Sequence, residues 1–452
     1  MLIGDIQIFC DNIENTTMRD HLVVGILRET KGFEHRAPLV PSDVEWLVNR
    51  GVAVEVERSS SRAFRDQEYR KNGARIVDRV ESARLLIGIK EPPVKNLHAH
   101  KAYMVFSHTA KGQCSNMPLL KACIRKKITL IDYEKIVDLN GSRLVFFGRF
   151  AGICGMVDSL HYLGKKLSFK GVKNPFTMIQ PSFKYESLTV LKDDLHKAGQ
   201  LMKAEGFVNE LTPFIIGITG HGNVSRGVQE VLDLFKPVEI HPKDMREFID
   251  HQKKQSHKVY KIVFLREEKF RSRKRTGFYF EEYLKHPRDF ESNLDAYIPY
   301  INVLMHTAYW DSRYPRLVPA NMIDTLYGKQ PFRLEFIGDL SCDIEGSVEI
   351  THKTTSPDKP TFTYDPAQKK FIDGYRSKGV TVLAVDNLPA ELPKDASDDF
   401  SGLIRDYIYQ IAVHGVTDIT NHMAIPVEIR NAVITENGRL TKNARYLKKY
   451  IS

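Results

Sequence analysis

The chain has 452 residues, 42% hydrophobic and 27% charged, with a formal net charge of +10. That length suits two or three domains around a sizeable core, and the composition is that of a globular protein rather than a disordered one. No apolar run of about eighteen residues is present, so no membrane span is expected. The positive balance favours anionic partners. The basic residues are scattered, however, and the densest cluster, KFRSRKR from Lys269 to Arg275, reads as a solvated loop rather than a nucleic-acid patch. Small acidic substrates fit the charge at least as well, and neither nucleic acid nor a membrane is expected as a partner. The five cysteines (Cys10, Cys114, Cys123, Cys154, Cys342) are dispersed, without CxxC or metal-ligand spacing. They read as free thiols in a reducing compartment, and no metal site is expected.

Taken in chain order, MLIGDIQIFCDNIENTTMRDH is too acidic for a transit peptide and too interrupted for a signal peptide, which suggests a cytoplasmic protein unless a presequence lies outside this chain. LVVGIL from Leu22 reads as a buried strand. PSDVEWLVNRG predicts a helix that starts at Pro41 and Ser42 and ends at Gly51. VAVEVER, RLLIGIK (84–90), AYMVFSH (102–108) and ITLIDYE (128–134) predict further strands, with helical patterns such as NMPLLKACIRKK between them. From Ala151, AGICGMVDSLHYLGKKL predicts a long connecting helix. A second alternating region begins near Phe214, with strands FIIGITG, PVEIH, YKIVFL, INVLMH, LEFIGDL and VTVLAVD. A last helix, SGLIRDYIYQIAVHG, leads back to the first region. The pattern predicts an α/β protein of two Rossmann-like, doubly wound parallel-sheet domains with a cleft between them. The expected boundaries are a discontinuous substrate and catalytic domain, 1–150 plus 393–452, and an inserted nucleotide-binding domain, 151–392.

Gly220, Gly222 and Gly227 follow an apolar strand and open a helix, the context that gives a glycine pattern meaning. The first permits a tight turn, the second lets a pyrophosphate approach the backbone, and the third is expected where helix and strand pack closely. Asn223 and Val224 begin the helix whose free N–H groups would face the phosphates. About twenty residues past the first glycine such sites often place an acid that grips a ribose hydroxyl. Here the sequence reads VEIHPKD, so His241 and Lys243, with Arg226 on the helix, are positioned to attract a 2′-phosphate. NADPH is therefore favoured over NADH, with Glu239 and Asp244 keeping the alternative open. His221, where a small residue is more usual, either contacts the pyrophosphate or points outward.

HRAPLVP, FSHT, LIDYE, FGRFAGICGM, GNVSRG, DNLPAELP and AVITENG together resemble the alanine dehydrogenase and saccharopine dehydrogenase superfamily. The nearest likeness is to the lysine–2-oxoglutarate reductase half of the bifunctional aminoadipic semialdehyde synthases, from about residue 22 to residue 440. The resemblance implies lysine degradation: L-lysine condenses with 2-oxoglutarate, and NADPH reduces the imine to saccharopine. It also implies roles. Lys90 in GIKEPP matches the catalytic lysine and His108 in FSHT the catalytic histidine. Asp343 in LSCDIEGS matches an aspartate near the nicotinamide, with Asp339 as the neighbouring alternative. Arg36 in HRAPL matches an arginine for a substrate carboxylate, and Arg28 and Arg149 are further cations for the three carboxylates of the substrates. Arg149 departs from the pattern, since an uncharged residue can stand there. Glu91 either tunes Lys90 or faces solvent. Asn387 in VDNLP matches a contact to the nicotinamide end. Bifunctional members are mitochondrial, so the matrix is the alternative compartment. The oligomeric state stays open, a homo-oligomer included. The rival readings are an amino-acid dehydrogenase using ammonia and pyruvate, and a catalytically silent relative that acts by binding.

Overall fold

In a computed structural model of the chain, residues 23–251 and 255–451 are described. Leu22, Cys10 and the acidic N-terminal stretch read above lie outside the described residues. Two units emerge, Met1–Phe146 with Pro393–Ser452, and Phe147–Leu392.

The first unit begins with parallel strands β1 (Val24–Ile26), β2 (Val54–Glu57), β3 (Arg75–Val77), β4 (Leu85–Lys90), β5 (Ala102–Phe106) and β6 (Thr129–Asp132). They lie in the order β6-β5-β4-β1-β2-β3. LLIGI and AYMVF are buried along their whole length, as a parallel strand covered on both faces must be. That continuity made them legible in the sequence. β3 was not: RIV is short and carries no fully buried residue, so neither its length nor its periodicity marks it.

The second unit opens with the helix Gly148–Phe169. Strand β7 (Phe214–Thr219) leads into the helix Asn223–Asp233, followed by β8 (Val238–Glu239) and β9 (Val259–Phe264). An antiparallel pair, β10 (Phe270–Ser272) and β11 (Phe290–Ser292), stands outside the main sheet. Then come β12 (Val303–His306), β13 (Phe336–Asp339), β14 (Thr361–Asp365), β15 (Lys370–Asp373) and β16 (Val380–Leu383). The sheet order is β15-β14-β16-β13-β12-β7-β9-β8. All pairings are parallel except those of β14, which runs antiparallel to β15 and β16. The β10–β11 and β14–β15 pairs were not anticipated.

KFRSRKR falls on the β10 side of the first of these pairs; Lys269 is buried, and the other four charges are met locally. Arg271 pairs with Glu291 and Asp295, Arg273 with Glu291, Lys274 with Asp289 and Arg275 with Glu282.

Gly227 packs differently from expectation. A Cβ there would lie 2.0 Å from the carbonyl oxygen of Arg149, and one on Gly152 would lie 2.0 Å from that of Val224. The third glycine therefore serves a helix–helix crossing, not helix–strand packing. The two backbones approach more closely than any side chain allows.

The chain then returns to the first unit. The helix Pro393–His414 supplies Ser397 Oγ and Ser401 Oγ, which accept from the Ala37 and Val40 amides at 2.8 and 3.0 Å. β17 (Val433–Glu436) adds antiparallel to β6 and turns into β18 (Arg439–Leu440). Asn437 and Gly438 in the turn have φ of 47° and 77°, the two positive values that a tight two-residue hairpin requires. AVITENG is therefore an edge hairpin. Among the described residues, no helix is long and apolar enough to cross a membrane.

Candidate functional site

In a parallel sheet all strand carboxyl ends share one edge, where loops can gather side chains. In the first unit, β1, β4, β5 and β6 deliver RETKGFEHR, Lys90–Glu91, Ser107–His108–Thr109 and Tyr133–Glu134 to that edge.

His108 sits at φ 53°, a left-handed conformation that costs a non-glycine residue about 1–2 kcal/mol. Its neighbours hold it there. Ser107 Oγ donates to Asp132 Oδ2 at 2.5 Å, Ser107 and Thr109 hydroxyls lie 2.8 Å apart, and Asn116 Nδ2 donates to the His108 carbonyl at 2.9 Å. Asp132 Oδ1 also accepts from the Glu134 amide at 2.9 Å, so FSHT and LIDYE form one lock. Burial raises the Asp132 carboxyl to about 6. His108 Nε2 stands 3.8 Å from Glu91 Oε2. Burial lowers its pKa, against the opposing pull of Glu91 and Glu134, which keeps the ring neutral and able to accept a proton near neutral pH. Glu91 is also ion-paired to Lys31 at 2.6 Å, so it faces the cluster rather than bulk solvent alone.

Lys90 ends β4, and its backbone is gripped by a residue that the sequence reading passed over. Glu29 Oε1 accepts from the Ile89 amide at 2.6 Å and Oε2 from the Lys90 amide at 3.2 Å. Gly88 leaves the room, since a Cβ there would meet Glu29 Oε1 at 3.2 Å. The β4–β5 register is irregular between Ile87 and Lys90, where the ladder alone would not fix the strand end. Glu29 is part-exposed as a residue, yet its carboxylate is turned inward. Burial, reinforced by Glu34, lifts it to about 7 against the lowering effect of the two amides. The signal available in sequence was an acid three residues past a buried strand, a pattern shared by many surface loops.

Arg36 is only 3% exposed. Its Nε and Nη2 donate to Glu34 Oε1 and Oε2 at 2.8 and 2.6 Å. Arg28 is exposed, and its guanidinium reaches the Arg58 carbonyl at 3.5 Å. Arg149 belongs to the other unit, where it makes a two-pronged pair with Glu230 at 2.8 and 2.9 Å. The structure therefore groups Lys90, Glu91 and His108 on one edge of the first unit, whereas Arg149 is part of the second unit.

In the second unit the same kind of edge carries the glycine turn. Gly220 has φ 115°, and Gly222 has nothing within 4 Å of where a Cβ would stand. No side chain caps the helix that starts at Asn223. A bare helix start beside open backbone suits a pyrophosphate. Val224 and Arg226 follow within the first turn, Arg226 and His221 exposed to solvent. Asp343 and Asn387 follow β13 and β16 and so share this edge. Asp339 is fully buried and accepts from Ser341 and Thr351 hydroxyls at 2.7 Å each, which marks it as a loop fastener. His241 and Lys243 follow β8 at the far end of the sheet, and His241 Nδ1 accepts from the Lys243 amide at 3.3 Å. Among the described residues, no group of three or more His, Cys, Asp or Glu is placed to hold a metal.

Two α/β units, one with a glycine turn on its central strand and the other with a lysine and a histidine on adjacent strand ends, define the class: a two-unit Rossmann-type dehydrogenase fold. The family follows from the sequence. The models of the alanine dehydrogenase/PNT N-terminal and C-terminal domains match residues 25–154 and 263–443, and the chain belongs to that family. It is 32% identical over 443 residues to an alpha-aminoadipic semialdehyde synthase of Arabidopsis thaliana, covering 94% of this chain and 41% of that protein. It is 26% identical over 390 residues to a saccharopine dehydrogenase (NAD(+), L-lysine-forming) of Neurospora crassa, covering 84% and 88%. The chain spans less than half the length of the aminoadipic semialdehyde synthases it matches. An L-alanine dehydrogenase structure shares the fold with a TM-score of 0.62 at 18% identity, covering 95% of this chain and all of that one.

Proposed function

We propose that the chain is a lysine–2-oxoglutarate reductase that forms saccharopine with NADPH. One observation carries the reading: Lys90, Glu91 and His108 meet on adjacent strand ends in a chain 32% identical over 443 residues to an aminoadipic semialdehyde synthase. NADPH supplies hydride to the carbon of the imine. The chain's own residues handle protons and carboxylates. Neutral His108 takes the proton that the lysine side-chain ammonium must lose before its nitrogen attacks the ketone. Lys90 donates to the oxygen that leaves as water once the C–N bond has formed. Glu91, next to Lys90 in the chain, close to His108 and held by Lys31, keeps compensating negative charge at the site. Arg36 offers the planar fork that a carboxylate fits, and takes one by exchanging it for Glu34. In the second unit, the turn Gly220–Gly222 and the start of the helix at Asn223 and Val224 would hold the pyrophosphate, with Asp343 and Asn387 on the nicotinamide side.

The test is absorbance at the reduced-nicotinamide band with NADPH, 2-oxoglutarate and lysine, repeated with ammonia and pyruvate and with NADH. Signal loss only with the lysine pair supports the proposal. Loss only with ammonia and pyruvate favours an alanine-dehydrogenase-like activity, and no loss with either pair indicates a catalytically silent relative.

A further inference from the structure

The strand beside the glycine strand in space is not the one that follows it in the chain. β9 pairs with β7 along its full length, Thr219 opposite Phe264, and the Gly220 amide donates to the Phe264 carbonyl at 3.2 Å. β8 lies beyond β9, and its last ladder bond runs from the Ile240 amide to the Lys261 carbonyl. His241 and Lys243 therefore leave the sheet two strand spacings from the glycine turn, about 10 Å to the side. They are also set back by the length from Lys261 to Phe264, roughly 10 Å along the strand. Level with the turn and one strand away stands Arg266, two residues past Phe264.

The setting of Arg266 is that of an unspent anion receptor. Its guanidinium lies over the ring of Phe280 at 4.7 Å and near that of Tyr283 at 6.0 Å. Stacking holds the plane of a guanidinium while leaving its edge N–H groups for a phosphate. The other arginines of the following loop, Arg271, Arg273 and Arg275, are each paired with a carboxylate. Among the described residues no carboxylate lies within ion-pair distance of Arg266. We propose that Arg266, not His241 or Lys243, recognises the 2′-phosphate that distinguishes NADPH from NADH. This rests on the reading of the chain as an NADPH-dependent reductase. The competing chemistry is next door: Glu267 is exposed on the same helical turn, Arg266–Lys269, and would instead grip an unphosphorylated ribose.

The test is a titration of the full chain with NADPH and with NADH, followed by nicotinamide fluorescence, with 2′,5′-ADP as a competing probe. The variants are Arg266→Ala, Arg226→Ala, the double variant His241→Ala/Lys243→Ala, and Glu267→Ala. Loss of one charge-assisted, two-pronged contact should weaken NADPH and 2′,5′-ADP by roughly 10- to 100-fold in Arg266→Ala. NADH affinity should stay within about 2-fold, which also reports that the variant is folded. If wild type prefers NADPH and Arg266→Ala keeps that preference, the inference fails while the proposed function stands, and a selective loss in either of the other basic variants names the group responsible. If wild type binds NADH more tightly, and Glu267→Ala abolishes that, the cofactor reading itself fails and Arg266 with it.

Discussion

Glu29 offers a prediction that the structure makes quantitative. Its carboxyl rises from an ordinary 4.5 to about 7, mainly through burial. A raised pKa means that the folded first unit binds this proton more tightly than the unfolded chain does. The associated stability is fully present below about pH 4.5 and is lost as pH rises through about 7. The rise corresponds to roughly 3 kcal/mol, of which about 2.5 kcal/mol falls between pH 5 and pH 8. Glu29→Gln cannot titrate and should lack this component. The two tryptophans of the chain make the measurement specific to one unit. Trp46 lies in the first unit, edge-on to Tyr409 at 5.5 Å, and Trp310 in the second. In a Trp310→Phe background, urea unfolding followed by Trp46 fluorescence reports the first unit alone. Glu29 should weaken this unit between pH 5 and pH 8 by about 2.5 kcal/mol more than Gln at the same position. Equal pH dependence in the two proteins, within about 1 kcal/mol, would refute the reasoning.

Three further outcomes are expected. Lys90→Met should abolish turnover in the absorbance assay while NADPH affinity changes by less than about 2-fold; surviving activity would remove Lys90 from the proton pathway. Gly222→Ala and Gly227→Ala should separate cofactor binding from folding. A Cβ on Gly222 enters open space, so stability should hold while dinucleotide affinity falls. One on Gly227 meets the Arg149 carbonyl at 2.0 Å, and should cost the second unit about 3 kcal/mol or more. Thermal melts and cofactor titrations of both variants decide the point, and equal melting temperatures would contradict it. Asp158 and Glu391 are both buried in the second unit, and burial plus the neighbouring Asp158 lifts Glu391 well above the carboxylate range. Stability from that pair is present at acid pH and is lost as pH rises through the raised value. Wild type should therefore weaken toward alkaline pH, by Trp310 fluorescence in a Trp46→Phe background, and Glu391→Gln should not; coincident curves would contradict the raised Glu391 carboxyl.

Much of this protein is written in short windows of its sequence. LLIGI and AYMVF announce buried parallel strands by unbroken apolar runs, and Gly220 and Gly222 announce a strand-to-helix turn by their place between an apolar strand and a helical pattern. Lys90 and His108 stand out through the GIKEPP and FSHT motifs shared with the family, since a lysine or histidine at a strand end is by itself an ordinary feature. These features depend on residues within a turn or a strand of one another, which is the range over which periodicity and backbone conformation act. The tertiary structure decided what local windows cannot hold. Glu29 becomes a clamp on Lys90 only because β1 lies beside β4. The HRAPL loop is fixed by Ser397 and Ser401, which arrive some 360 residues later. Gly227 meets a helix rather than a strand. Arg266, not His241, follows the strand beside the glycine turn because β9, not β8, pairs with β7. Sheet order and helix crossings are settled by burial and ladder pairing across the whole unit, so residue spacing along the chain fixes what each strand end carries but not which strand ends become neighbours.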